Sequence, residues 1–185
     1  MPSLIDIKIR IVSVNKTKKI TQALKMVSAA KLRRAEDLLK QARPYADKLS
    51  MTVNNVLDRS QNSEHELFNV KEGRKLLVVV TGDRGLCGGF NSHILKKASE
   101  YVENEKDINV ICIGGKSFKH FKKTNTNIEK SYTHFLDKLN YVKAENISQE
   151  IINLYLSGEY SQIDIIYNEF KSVVNQNVVI DKHLP

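Results

Sequence analysis

Residues 32–56 read LRRAEDLLKQARPYADKLSMTVNNV. Leu32, Ala35, Leu39, Ala42, Ala46, Leu49, Val53 and Val56 step by alternating threes and fours, the 3.5-residue repeat of a coiled-coil seam. Carried backward in the same frame, the repeat meets Leu4, Ile7, Ile11 and Val14. From Ser3 to Leu57 there is no glycine and proline only at position 44, and good helix formers fill the stretch. One helix over residues 1–57 is the expectation, on the order of 80 Å long. Ser3 serves as N-cap, with Asp6 in the first turn, where the helix dipole favours an acid. Pro44 removes one backbone hydrogen bond, yet the frame holds on both sides of it, which argues for a kink rather than an end. A rod of this length cannot bury itself, and the small Ala35, Ala42 and Ala46 ask for a partner packed close against it.

Between the two apolar runs the frame falls on Lys18, Thr21, Lys25 and Ser28. The seam is interrupted there, while Ile20, Leu24, Met26 and Val27 point elsewhere, either to a second partner or to a second buried side of the same bundle. Charge gathers on the same stretch. Through Arg43 there are 11 bases and 3 acids, a net of +8 that equals the net charge of the whole chain, and the remainder balances 18 against 18. Lys16, Lys18, Lys19, Lys25, Lys31, Arg33 and Arg34 crowd a few turns with no acid among them. Like charges so close destabilise an isolated helix, so an acidic partner, protein or nucleic acid, is expected.

Past a polar linker at residues 58–74 the pattern changes. Residues 75–81 (KLLVVVT) and 108–113 (INVICI) are continuous apolar runs of the kind found in strands buried on both faces of a parallel sheet. Phe90, Ile94, Ala98 and Tyr101 keep helical spacing between them, a further helix begins near Lys116, residues 124–140 read as irregular, and Ile147, Ile151, Leu154 and Tyr155 mark a helix that Gly158 closes. Residues 163–170 and 177–180 are two more strand candidates. Strand and helix in alternation predict a small doubly wound, mostly parallel α/β domain over residues 75–185.

Two glycine-rich loops at strand ends invite a phosphate reading, and their spacing refuses it. Residues 82–91 (GDRGLCGGFN) lack both G-x-G-x-x-G and a closing Gly-Lys-Ser/Thr; Gly114, Gly115, Lys116 and Ser117 copy the end of a P-loop, but its first glycine would fall at Val110 inside the strand. Asp83, Arg84, Gly85, Gly88 and Gly89 are therefore expected to shape a structural loop, with no cofactor. The five histidines are scattered without metal spacing, no Ser or Cys has an evident base in its motif, and Cys87 and Cys112 read as small packing residues. With two cysteines, no signal peptide and no run of 18 apolar residues, a reducing cytoplasmic setting without membrane insertion is expected.

Residues 1–7 (MPSLIDI), 19–35 (KITQALKMVSAAKLRRA) and 83–91 (DRGLCGGFN) resemble the gamma-subunit family of F-type ATP synthases. The likeness runs along the entire chain. It implies a central-stalk rotor: an antiparallel coiled coil inside a ring of three alpha and three beta subunits. An α/β foot would meet the epsilon subunit and the membrane c-ring, with nucleotide chemistry on the beta subunits. It implies a peripheral place at the cytoplasmic face of a bacterial inner membrane, or the matrix side of a mitochondrion. In that picture Lys18, Lys19, Ile20, Leu24, Lys25, Met26, Val27, Arg33 and Arg34 would face the alpha/beta ring. Leu24 stands where family members commonly have Met, a swap of similar volume. The family's second long helix, which follows the α/β domain, is not in the sequence, which reads as a fragment or as a divergent member whose partner helix comes from another chain. The rival class is a basic coiled coil that neutralises nucleic-acid phosphates; there the basic stretch would stand apart from the seam, whereas here the bases lie along it.

Overall fold

The computed structural model describes residues 3–59, 65–135 and 140–185. It divides into two compact units, residues 1–63 and 64–185. The first is a single helix, α1 (Leu4–Arg59), of 56 residues. It runs on through Pro44, as the unbroken frame requires. The linker reading of residues 58–74 divides into parts: residues 58 and 59 close α1, residues 60–64 lie outside the described residues, and residues 65–73 pack on the second unit through a short 3₁₀ turn, Glu66–Phe68.

The second unit alternates β1 (Arg74–Val80), α2 (Phe90–Asn104), β2 (Ile108–Ile113), α3 (Gly115–Phe121), β3 (Ile128–Tyr132), α4 (Tyr141–Leu156), β4 (Tyr160–Phe170) and β5 (Gln176–Leu184). The sheet order is β3-β2-β1-β4-β5; the first four strands are parallel, and β5 returns antiparallel to β4. The chain builds outward from β1 to β3, then crosses back through α4 to β4, so the order reverses at the centre as in other doubly wound sheets.

Period-two alternation explains the continuous apolar runs. Leu77, Val79, Val110, Cys112 and Ile166 pack with Ile94, Ala98 and Phe121 of α2 and α3. Leu76, Val78, Ile111, Ile113 and Ile163 pack on the other face with Ile147, Ile151 and Tyr155 of α4. Both faces are covered, so neither face of the central strands can be polar.

One expectation is corrected. Residues 124–140, read as irregular, contain β3, paired parallel with β2 from Val110↔Ile128 to Ile113↔Tyr132. As an edge strand it is only half-buried, and its sequence IEKSY lacks the apolar run that gave away β1 and β2. The strands at the far side are also longer than their apolar cores: β4 begins at Tyr160 and β5 extends to Leu184.

Candidate functional site

At the start of α1, Ser3 and Asp6 close a reciprocal box. The Ser3 hydroxyl accepts from the Asp6 amide at 3.2 Å, and Asp6 Oδ2 accepts from the Ser3 amide at 3.0 Å. The Ser3 hydroxyl also donates to Oδ2 at 2.8 Å, and these hydrogen bonds hold the Asp6 carboxyl below its usual range. Beyond the cap, α1 has no buried residue at all. The seam side chains stand in the open, from 39% exposed at Leu32 to 75% at Leu4, with Ile7, Ile11, Val14, Leu49, Val53 and Val56 between; Leu39 is half-buried.

Ile20, Leu24, Met26 and Val27 are exposed too. At i, i+4 and i+7, Ile20, Leu24 and Val27 share one stripe, roughly a third of a turn around the helix from the seam. In and beside the interrupted stretch Thr17 donates to the Ser13 carbonyl at 3.1 Å, and Thr21, one of the interrupted positions, to the Thr17 carbonyl at 2.9 Å, so these hydroxyls are satisfied by their own helix. Among the described residues, Lys18, Lys19, Lys25, Arg33 and Arg34 meet no carboxylate. The arrangement offers two apolar stripes and unneutralised positive charge, with nothing of this unit to cover them.

The glycine-rich loops converge at the carboxyl ends of β1 and β2. Gly114 takes a φ of +103°, and a Cβ there would lie 2.0 Å from the Thr81 carbonyl oxygen, so only glycine fits between the two strand ends. The turn that resembles a P-loop is already filled from within. Asp83 Oδ1 accepts from the Gly115 amide at 2.8 Å and from the His134 amide at 2.9 Å. The Lys116 amide donates to the Gly82 carbonyl, and the Ser117 amide to the Thr81 hydroxyl at 2.9 Å. An anion approaching these N–H groups meets a carboxylate in its place.

Asn91 secures the neighbouring loop: its Oδ1 accepts from the Gly82 amide at 2.8 Å, and its Nδ2 donates to the Arg84 carbonyl at 3.2 Å. Gly88 adopts a φ of +57° in open space, a conformation that favours glycine. Gly85 has no such φ; a Cβ there would stand 3.4 Å from Lys116 Nζ. The loop tip presents Arg84, Leu86 and Cys87 to solvent, with Leu86 held at a φ of +61°. The packing reading of the cysteines holds for Cys112 alone. It is buried, which pushes its thiol up to about 11, whereas Cys87 is exposed.

Sequence reasoning missed Asp83 as the filler of the turn, Asn91 as the clamp, and one further pair. Ser99 Oγ and His120 Nε2 lie 2.7 Å apart, joining α2 to α3. Among the described residues no carboxylate orients the other ring nitrogen, and no group of metal-ligating side chains is assembled, so the pair lacks the third member of a catalytic triad.

A long helix with uncovered apolar stripes, followed in the chain by a doubly wound domain whose phosphate-like turn holds its own carboxylate, defines a two-unit protein of helical arm and α/β domain. The family model described as ATP synthase matches residues 3–185, and the chain belongs to that family. Its relatives include the ATP synthase gamma chain of Geobacter metallireducens, 42% identical over 190 residues, and that of Geotalea daltonii, 43% identical over 191 residues. Each alignment covers all of this chain and 66% of the relative, so the chain spans just under two thirds of their length. Among solved structures, the central stalk and c-ring of the Tetrahymena thermophila mitochondrial ATP synthase matches with a TM-score of 0.72 at 25% identity, over 90% of this chain and 72% of that one. The nucleic-acid class finds no support in these matches.

Proposed function

We propose that this chain is the amino-terminal part of the central-stalk rotor subunit of an F-type ATP synthase. On this reading it is a non-catalytic component that couples ion-driven rotation of a membrane ring to ATP synthesis and hydrolysis on the surrounding beta subunits. The observation that carries the reading is α1, a 56-residue helix without a buried residue, whose exposed heptad frame awaits a second helix. Membership of the ATP synthase family supports this placement.

In the assembly the seam takes the antiparallel helix, while Lys18, Lys19, Ile20, Leu24, Lys25, Met26, Val27, Arg33 and Arg34 face the alpha/beta ring. The α/β unit meets the epsilon subunit and the c-ring, peripheral to the membrane at its cytoplasmic face. Among the described residues no helix is long and apolar enough to cross a bilayer. A shaft with different faces, turning inside a ring, favours a different nucleotide affinity in each beta subunit at each angle, which is a coupling free energy set by geometry.

The test is charge reversal. Lys18, Lys19, Lys25, Arg33 and Arg34 changed together to Glu in the full-length chain should impair assembly or coupled ATP hydrolysis in the reconstituted complex. Added salt should soften the defect, because exposed pairs are weak singly and are screened. Normal turnover by the reversed complex, together with tight duplex-DNA binding by the native chain that falls steeply with salt, would move the protein to the nucleic-acid class.

A further inference from the structure

We propose that the cavity between α4 and the sheet, toward the carboxyl ends of β1, β2 and β4, is a binding site for a small neutral aromatic molecule with one polar substituent, of the size of phenol. The inference goes beyond the rotor reading and does not depend on it. The cavity has a volume of about 170 Å³; Val78 and Val80 of β1, Ile113 of β2 and Ile165 of β4 form its floor, and Ile147 and Ile151 of α4 form a wall. It lies over the boundary between β1 and β4, where the strand order reverses. In doubly wound sheets ligands collect in the crevice at that boundary, outside the carboxyl ends of the strands.

The space originates in the sequence of α4. Ala144, Ile147, Ser148 and Ile151 fall at i, i+3, i+4 and i+7, on one face of the helix. Two of the four are small, so this face is full at the isoleucines and recessed at Ala144 and Ser148. Burial follows the recess. Val78, Ile113, Ile147 and Ile151 are buried, Val80, Phe135 and Ile165 are half-buried, and Ala144 and Ser148 are exposed. The cavity is thus closed at its floor and opens near the start of α4.

The lining selects the ligand. Among the described residues it carries no charge and a single side-chain polar group, the Ser148 hydroxyl, which has no hydrogen-bond partner there. The strands beneath pair within the sheet, Val78 with Ile111 and Ile165, and Val80 with Ile113. A buried water needs about two to four polar partners and finds one here, so it is poorly held. An aromatic ring that displaces it buries apolar surface and strands no polar group of the protein. An apolar cavity of about 150 Å³ takes up benzene in the same way. The same lining rejects phosphates, nucleotides and metal ions, whose charge would be desolvated without compensation. Ser148, at the mouth, can exchange one hydrogen bond with a substituent such as a phenol hydroxyl.

The native 185-residue chain, methyl-labelled at Ile and Val, is titrated by NMR with phenol and separately with benzene, beside Ser148→Ala and Ala144→Phe. Both substitutions are at exposed helical positions, where the fold should tolerate them. For the native chain we expect saturable shifts at the methyls of Val78, Val80, Ile113, Ile147, Ile151 and Ile165, with a dissociation constant on the order of 1 mM or below. S148A should weaken phenol by roughly 2- to 10-fold and leave benzene unchanged. A144F, whose ring closes the mouth, should abolish both. The exposed Ile5 and Ile9 of α1 serve as an internal control. Shifts that do not saturate, that fall equally on Ile5 and Ile9, or that persist in A144F would overturn the site. Should A144F fail to fold, S148A decides alone: an unchanged ratio of phenol to benzene affinity would overturn the proposal.

Discussion

Asp83 shows how one side chain decides what a loop does. Its Oδ1 serves two amides from different loops, at the tops of β2 and β3, while Oδ2 is buried without a partner among the described residues. Native chain titrated with Mg-ATP at ~100 μM should give no heat of binding; a stoichiometric micromolar site would contradict the filled turn. Asp83→Ala strands both amides and should lower stability by about 1–3 kcal/mol in a urea melt. Gly114→Ala should cost more, because it adds a Cβ against the Thr81 carbonyl as well as a strained φ.

A second residue-scale outcome concerns alkaline pH. Tyr160 is buried and shares Glu129 and Asn109 in a polar network at the amino end of the sheet. Burial first, and then its bond to Glu129, push the phenol from 10.0 up to about 12. Because the folded value lies above the unfolded one, the contribution is whole below pH 10 and is lost as pH rises toward 12. Melts at pH 9 and pH 11 should show the fall, and Tyr160→Phe should blunt it.

At the scale of elements, legibility followed burial. β1 and β2 are covered on both faces and announce themselves as apolar runs; β3, with Glu129 and Lys130 at an exposed edge, does not. The long helix was legible because its heptad persists without glycine. Residues 65–73 were not, since their order comes from long-range bonds to Tyr155 that no local pattern encodes. Asp83 and Asn91 escaped for the same reason: a short polar residue in a glycine-rich loop looks alike whether it fills a turn or faces water.

The element with most at stake is α1. Each large seam aliphatic left in water forgoes roughly 1.5–3 kcal/mol of burial. The first 57 residues should therefore exchange their amides quickly in a dilute monomer, or associate through the seam, and gain protection when a second helix is supplied. Strong protection in a verified monomer would show that the seam needs no cover.

At the scale of the whole molecule, the two units divide the physics between them. The α/β unit has two apolar cores of its own, one on each face of the sheet, while α1 has none and carries the entire net charge. Residues 65–185 expressed alone should melt cooperatively, with a midpoint close to that of the longer chain; loss of cooperative unfolding would mean that α1 completes the core. The charge belt and the heptad told of partners without naming them. The three motif stretches supplied the family, and no amount of hydrophobic patterning would have done so.

The cysteines have a practical consequence. Cys112 has no exposed surface and a thiol held mostly protonated at neutral pH, whereas Cys87 lies open on the loop between β1 and α2. A maleimide dye at pH 7 should therefore react once per native chain, on the loop whose base Asp83 and Asn91 hold in place. A fluorophore attached there would report the orientation of the α/β unit rather than local wobble, with Cys112 left unlabelled in the core.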